Sequence, residues 1–352
     1  MNKRSFQLNE LPHAFPQLRV NAEIRSVPED FVVDEELGFS PTAEGEHAFL
    51  HIQKRGRNTE DVARALARHA AVPRKAVSYA GLKDRNAVTT QYFSVHLPGI
   101  DDPDWLDMGD SSLEFLSITR HRKKIKRGAL QGNCFRLQLR DFNGNKEQTE
   151  QRLTQIKRNG VPNYFTAQRF GHNANNLYCV DEMLVNGKRV KDRFKRNIYF
   201  SAARSWLYNL VLAERIRCNN WNKAIRGDSM MLSGSRSCFH IDAIDEEIRK
   251  RVDELDISPT GPLWGRGSSM LTAEAAEIEA ASLSDWKSWK EGLEKAGQQM
   301  VRRSLRMPVA DLSWDWPEEN QLQLKFSLLP GCYATAVLRE LGKFTEPERK
   351  RI

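Results

Sequence analysis

Strand-like sequence occurs in two parts of this chain, separated by a long region with a helical pattern. Short runs of β-branched and aromatic residues lie at 31–33, 47–53, 77–80, 91–97, 113–118 and 134–139, and a similar run returns at 322–328. Such runs, bounded by turn residues, are typical of strands. We therefore expect a mixed sheet that the last strand rejoins, with the helical region inserted into the first domain.

The start of the insertion is predicted at Gly160. Residues 146–158 have a helical pattern, Gly160 follows as a helix-ending residue, and Pro162 cannot continue the helix. The chain of 352 residues also exceeds the roughly 100–200 residues of one average domain. We expect two domains, with borders near 159 and 305, and further helices at 59–70, 202–216, 245–255, 273–293 and 333–341.

Composition excludes several classes of protein. Hydrophobic residues make up 40% and charged residues 28% of the chain, which suits a globular core, and no apolar run approaches the roughly 18 residues of a membrane span. The amino-terminal sequence does not have the pattern of a signal peptide. We expect a cytoplasmic protein with no membrane association.

Neither a disulfide framework nor a metal site is predicted. The five cysteines are far apart, odd in number and never in a CxxC pair. His47 and His51 lie on a predicted strand, where four residues span about 13 Å, too far for both to bind one ion.

The charge balance favours an anionic partner. The chain has 54 basic and 46 acidic side chains, a net charge of +8, which suits binding to a nucleic acid. The densest basic run lies in a turn between two predicted strands and could neutralise several phosphates; its candidate residues are Arg122, Lys123, Lys124, Lys126 and Arg127. The alternative is a solvated hairpin tip.

The loop at 81–89 and the strand at 134–139 carry the candidate chemical groups. Asp84 lies between Lys83 and Arg85 after a glycine, as a carboxylate nucleophile or base facing a polyanion would. The alternative is an Asx-turn, in which Asp84 only binds nearby backbone N–H groups. Phe135, beside Asn133, could stack on an unpaired base, or could be a core residue.

Six motifs occur in an order that resembles the TruD family of tRNA pseudouridine synthases. They cover most of the chain: RSVPEDFVVDE at 25–35, GLKDRNAVTTQYFSV at 81–95, GNCFR at 132–136, VPNYFTAQRFG at 161–171, GPLWG at 261–265 and LPGCYATAVLRELG at 329–342.

This resemblance implies an α+β fold with two domains. The first is a catalytic domain with a pseudouridine-synthase-type mixed β-sheet, formed by 1–159 together with 305–352. The second is a mainly helical TRUD insertion domain at 160–304 that forms the other wall of a cleft. The implied activity is isomerisation of uridine 13 of tRNA to pseudouridine, without a cofactor. Apart from the resemblance, we expect a monomer. The alternative is a non-catalytic RNA-binding protein or RNA chaperone.

The resemblance also implies roles for single residues. Asp84 is the expected catalytic carboxylate, Asn133 is expected to orient it, and Phe135 is expected to stack on the uracil. Arg25, where many relatives have lysine, is expected to pair with the aspartate. Thr166 stands where the family usually has glycine and would be strained at a positive φ. The remaining expected RNA contacts are Lys83, Arg85, Gln168 and Arg169.

Overall fold

The computed structural model describes residues 4–126 and 128–347, which form an α+β fold, as predicted. Its strands are β1 (Asn21–Glu23), β2 (Phe31–Leu37), β3 (His47–Arg55), β4 (Val77–Tyr79), β5 (Val88–His96), β6 (Leu113–His121), β7 (Leu130–Asn143), β8 (Val161–Pro162), β9 (Ser229–Leu232), β10 (Cys238–His240), β11 (Ile257–Leu263), β12 (Val301–Ser304), β13 (Arg306–Met307), β14 (Ala310–Glu318), β15 (Gln321–Leu328) and β16 (Lys343–Thr345).

The helices connect these strands. They are α1 (Thr59–His69), α2 (Lys146–Asn159), α3 (Ala167–Phe170), α4 (Asn175–Leu184), α5 (Arg193–Arg217), α6 (Glu246–Asp253), α7 (Ala273–Ser282), α8 (Lys287–Lys295) and α9 (Ala334–Arg339). No helix in the described ranges combines the length and the apolar character needed to cross a membrane.

The chain divides into two compact units. Unit 1 contains the segment up to Leu18, Glu150–Val309 and Cys332–Leu341. Unit 2 contains Arg19–Thr149, Ala310–Gly331 and the segment from Gly342. Each unit is therefore assembled from three separate stretches of sequence.

These borders differ from those of the predicted domains. Phe6 and Leu11 belong to the hydrophobic core of unit 1, which is built around α5. The Arg152 guanidinium donates to the carbonyl oxygens of Pro16 (2.6 Å) and Glu340 (2.7 Å), so the three stretches of unit 1 are bonded together. The division into a catalytic domain and an insertion domain remains a prediction about function.

Unit 2 is built on one sheet of ten strands. Its main order is β14-β15-β7-β2-β5-β3-β6, while β1 pairs with β7 and β16, and β4 pairs with β5. The sheet is mixed, since β2 and β5 run parallel whereas β15 and β7 run antiparallel. The pairing of β15 with β7 confirms that the last predicted strand rejoins the first sheet.

The spacing of buried residues along β3 and α1 explains how the sheet and this helix pack. Along β3, the even-numbered residues from Ala48 to Ile52 are buried. Val62 and Leu66, one turn apart on α1, are also fully buried and share a core cluster with this face of β3. This arrangement follows the rule that i and i+2 in a strand, and i and i+4 in a helix, face one side.

Unit 1 contains more β-structure than its sequence predicts. Besides its helices it holds a sheet with the order β10-β9-β11-β12, and β8 pairs with β13. The longest of these strands, β11, contains Pro259, Gly261 and Pro262, which are residue types that weaken a strand prediction. The single helix predicted at 273–293 is wrong: a 3-10 turn at Ser284–Trp286 separates α7 from α8.

Gly160 ends α2, as predicted, in the left-handed backbone region. Its φ is +69°, and a Cβ at this position would lie 2.6 Å from the carbonyl oxygen of Met307. Gly187, also in unit 1, has nearly the same φ, +70°, but a Cβ there would meet nothing within 4 Å. Alanine at Gly187 would therefore meet backbone strain alone, whereas alanine at Gly160 would meet the same strain and a steric collision.

We expect Gly187→Ala to lower the free energy of unfolding by about 1 kcal/mol, because a Cβ disfavours the left-handed region. Gly160→Ala should lower it by about 3 kcal/mol, because overpacking against Met307 adds to the same strain. Urea unfolding of both variants measures the difference. Equal losses in the two variants would contradict the close contact at Gly160.

Candidate active site

Asp84 lies in the loop between β4 and β5, with 29% of its side chain exposed. One carboxylate oxygen, Oδ2, is 3.0 Å from Nη2 of Arg25. The other, Oδ1, accepts a hydrogen bond from the backbone N–H of Asn86 at 3.0 Å. Asp84 therefore forms both the Asx-turn hydrogen bond and the ion pair with Arg25. The two contacts fix both carboxylate oxygens, and the carboxylate stays partly accessible.

Arg25 follows β1 and is buried. Its φ of 58° is uncommon for a residue other than glycine, and such strain is often found at functional sites. The guanidinium lies over the Phe31 ring, 4.0 Å from its centroid, and also pairs with Glu346. A buried, packed guanidinium loses little freedom when it binds Asp84.

A second ion pair lies under the same loop. Nζ of Lys83 is 3.1 Å from Oε1 of Glu35 and donates a hydrogen bond to the side-chain oxygen of Asn133. Burial raises the pKa of Glu35, and the charge of Lys83 partly offsets this effect. The other Glu35 oxygen accepts from the Tyr92 N–H at 2.9 Å. The side chain of Lys83 thus faces inward in this structure, and its predicted RNA contact stays a prediction.

Lys54, near the end of β3, was not predicted as a site residue. Its side chain is fully buried, and Nζ donates to the carbonyl oxygens of Arg57 (2.8 Å) and of Asp84 itself (3.1 Å). Burial lowers the pKa of Lys54 to about 8. Three cations therefore surround the Asp84 loop: Arg25 on the carboxylate, Lys83 one residue earlier, and Lys54 on the main chain.

Asn133 and Phe135 lie near this network on β7. The hydrogen bond found for the Asn133 side chain goes to Lys83 rather than to Asp84. Phe135 is buried and stacks on Phe326, with 5.4 Å between ring centroids and 23° between planes. Phe135 is thus a core residue in this structure. Its role in stacking on the uracil stays a prediction.

The basic run between β6 and β7 is anchored at one apolar residue. Ile125 is buried, and its N–H donates to the Ser94 hydroxyl at 3.0 Å. Arg122 pairs with Glu44, whereas Lys123, Lys124 and Lys126 are exposed and form no ion pair with any described residue. Arg127 lies outside the described residues. The anchored loop therefore presents three cations that form no ion pair with a carboxylate in residues 4–126 and 128–347.

Arg85 is also exposed, and its Nε donates to the Gly56 carbonyl oxygen at 3.3 Å. Two of the other predicted RNA contacts lie in unit 1. Gln168 is exposed on α3. Arg169 donates to the hydroxyls of Ser201 (3.0 Å) and Tyr333 (2.9 Å), so its guanidinium is bound within the unit.

Thr166 has a φ of −95°, so threonine is not strained at this position. Its hydroxyl accepts a hydrogen bond from the Thr335 hydroxyl at 3.2 Å. The positive φ that glycine would permit is not required here.

Sequence analysis missed a second basic surface, which we call the 188–196 patch. It contains Lys188, Arg189, Lys191, Arg193, Lys195 and Arg196 around Phe194, whose side chain is 71% exposed at the start of α5. Lys188 pairs with Glu182 at 4.0 Å, and the other five cations form no ion pair with described residues. A count of charges along KRVKDRFKR would have found this patch.

Comparisons with known proteins show the family of this chain. The family model described as tRNA pseudouridine synthase D (TruD) matches residues 12–195 and 188–341. The chain belongs to the TruD family. It is 48% identical to the tRNA pseudouridine synthase D of Methylococcus capsulatus, over 96% of this chain and 95% of that protein. The corresponding protein of Nitrosococcus oceani is 46% identical over 92% of this chain and 91% of its own.

A solved structure shows the same fold as this TruD family member. The crystal structure of a candidate tRNA pseudouridine synthase D from Methanosarcina mazei matches with a TM-score of 0.71. The match covers 94% of this chain and 95% of that one, at 22% sequence identity. In the described part of the chain, no three His, Cys, Asp or Glu residues are grouped so that they could hold a metal ion.

We expect Lys83→Met to lower the free energy of unfolding at pH 7 by about 3–5 kcal/mol, because it leaves the buried Glu35 charge without its partner. The loss should shrink at pH 5. Burial raises the Glu35 pKa, and loss of the Lys83 charge, which lowers it, should raise it further, so folded Lys83→Met takes up the stabilising proton at a higher pH than the folded wild type does. Urea unfolding at both pH values measures the change.

The double variant Lys83→Met/Glu35→Gln is the control, since it removes both charges. It should recover most of the lost stability at pH 7. A loss in Lys83→Met that is the same at pH 5 and pH 7 would show that Glu35 is not the group left uncompensated.

Proposed function

We propose that this protein isomerises uridine 13 of tRNA, in the stem of the D arm, to pseudouridine, with Asp84 as the catalytic carboxylate. The observation that carries the proposal is the ion pair between Arg25 and the partly exposed Asp84, in a loop that has the family's GxKD sequence. Membership in the TruD family supports the reaction type, and the names of the relatives support tRNA as the substrate.

The reaction exchanges one bond to the sugar for another. The C1′–N1 glycosidic bond breaks, the uracil turns, and C5 bonds to C1′; C5 then loses its proton, and N1 gains one. Positive charge develops at the sugar, so an ionised carboxylate beside C1′ stabilises the transition state. Asp84 acts either as a nucleophile on C1′ or by removing a sugar proton to give a glycal.

The neighbouring residues support such a role for Asp84. Arg25 pairs with the carboxylate at hydrogen-bonding distance and fixes the position of one of its oxygens. Phe135 is the proposed stacking partner of the uracil, which requires its ring to become more accessible than it is against Phe326. Asn133, through its bond to Lys83, is proposed to help hold the loop.

A uridine in a stem must leave the helix before it can react. Flipping costs a few kcal/mol, which contacts to the RNA backbone can offset. We propose that Arg85, Lys123, Lys124 and Lys126 provide such contacts in unit 2. In unit 1 we propose Gln168 and the 188–196 patch, where the exposed Phe194 ring can stack on an unpaired base.

Asp84→Asn should abolish pseudouridine formation, because an amide can neither attack C1′ nor accept the sugar proton. Its affinity for the RNA should change by less than about twofold, since the phosphate contacts remain. Release of tritium from C5-labelled uridine in an unmodified tRNA transcript measures turnover, and filter binding measures affinity. Asp107→Asn, an exposed carboxylate in unit 2, is the matched control and should keep full activity.

Turnover retained by Asp84→Asn would refute the catalytic assignment. A wild-type protein that binds the transcript but releases no tritium would instead support the alternative of a non-catalytic RNA-binding protein.

Replacing Lys123, Lys124 and Lys126 together by alanine should weaken RNA binding and lower its salt dependence. Each lost phosphate contact lowers the slope of log affinity against log salt by about 0.7–0.9. Binding of the transcript at several salt concentrations measures the slope. Arg122→Ala is the control, because Arg122 already pairs with Glu44, and it should change the slope less than any one of the three lysines. An unchanged slope in the triple variant would exclude these lysines from the interface.

A further inference from the structure

Lys54 is an unusual residue to find inside a sheet domain. It extends the buried face of β3 formed by Ala48, Leu50 and Ile52, and no part of its side chain is exposed. Its ammonium forms no ion pair with any carboxylate in the described residues. Both of its hydrogen bonds go to backbone carbonyl oxygens, those of Arg57 and Asp84.

A cation in this position opposes folding. A buried charge without an ion-pair partner costs free energy even when it is hydrogen-bonded, and an apolar side chain of similar length would fill the same space without that cost. Burial accordingly lowers the pKa of Lys54 to about 8. Groups of this kind are concentrated at functional sites.

The hydrogen bond to Asp84 differs in kind from the other contacts of that residue. Arg25 and the Asn86 N–H each bind one carboxylate oxygen, while Lys54 binds the main-chain oxygen at 3.1 Å. Asp84 belongs to neither flanking strand, so strand pairing does not hold its peptide plane. Without the bond from Lys54, rotation of that plane would shift the Cα that carries the carboxylate and would disturb the contacts of its oxygens with Arg25 and Asn86.

We propose that Lys54 is a positioning residue for the pseudouridine synthase reaction: its buried ammonium holds the main chain of Asp84 and so directs the carboxylate at the ribose. The inference rests on the catalytic role of Asp84 proposed above. Lys54 acts through Asp84 and does not itself touch the substrate.

This role makes the reaction sensitive to alkaline pH. The titratable groups that face the ammonium are Asp84, which favours its charged form, and Lys83, which opposes it. The strand partners of Lys54, Thr89 on β5 and Leu113 on β6, are uncharged, and the Arg57 side chain is paired with Asp110. As the pH rises through about 8, Lys54 loses its proton, and its bond to Asp84 is no longer strengthened by charge.

The test uses Lys54→Met, which keeps the length and removes the charge, and Lys54→Arg, which keeps the charge. Single-turnover rates are measured with saturating enzyme and the unmodified tRNA transcript from pH 6 to pH 9.5. Lys54→Met should react about 100-fold more slowly at pH 7, because a displacement of about 1 Å has an effect of this size. Its affinity for the transcript should stay within about twofold of wild type.

The pH profile distinguishes positioning from a structural role. The wild-type rate should fall as the pH rises above 8, the Lys54→Met rate should show no such fall, and Lys54→Arg should recover part of the rate without the fall. Lys325→Met, an exposed lysine on β15, is the matched control and should behave as wild type. A wild-type rate in Lys54→Met, or an alkaline fall that persists in it, would overturn the inference.

A second measurement does not need catalysis. Amide hydrogen exchange in the segment 82–86 should be slow in the wild type at pH 7. After correction for the intrinsic rate, it should be faster in Lys54→Met at pH 7 and in the wild type at pH 9. Unchanged exchange overturns the inference even if the wild type is inactive, whereas inactivity with the expected exchange overturns the proposed function alone. If Lys54→Met does not fold, the comparison of wild-type exchange at pH 7 and pH 9 tests the inference, and equal corrected rates would overturn it.

Discussion

Two buried cations hold Asp84 by different atoms. Arg25 binds the side chain and Lys54 binds the main chain, so together they restrict both the position and the direction of the charge. For the catalytic role that we propose for Asp84, preorganisation of this kind would favour a developing positive charge, because the site would not have to rearrange during the reaction. Burial strengthens these contacts, but it also costs free energy, because each cation loses its hydration.

The core of the sheet could be predicted from the sequence because its strands follow a simple period. The returning strand β15 was predicted from its composition, and it pairs with β7 residue by residue. The sheet of unit 1 could not be predicted in the same way. Its strand β11 contains two prolines and a glycine, so only tertiary pairing with β9 and β12 makes it a strand.

The candidate site was only partly accessible to sequence analysis. Motif resemblance singled out Asp84 and Arg25, which lie together in the structure. It did not single out Glu35 and Lys54, although both carry a local signal. Each continues the buried face of a strand, Glu35 after Phe31 and Val33 on β2, and Lys54 after Leu50 and Ile52 on β3. A charged residue at the end of an inward-facing apolar series therefore indicates a buried partner, but only the fold identifies that partner.

The interleaving of the two units affects how the molecule is made. The chain passes from one unit to the other after Leu18, Thr149, Val309, Gly331 and Leu341. A nascent chain leaving the ribosome therefore cannot finish either unit early, since β15 enters the ten-stranded sheet only near residue 328 and α9 enters unit 1 later still. Until then β7 lacks its neighbour β15 along Asn133–Leu139, the segment that carries the candidate site residues Asn133 and Phe135. The candidate site is thus completed only after the chain has been synthesised beyond residue 328.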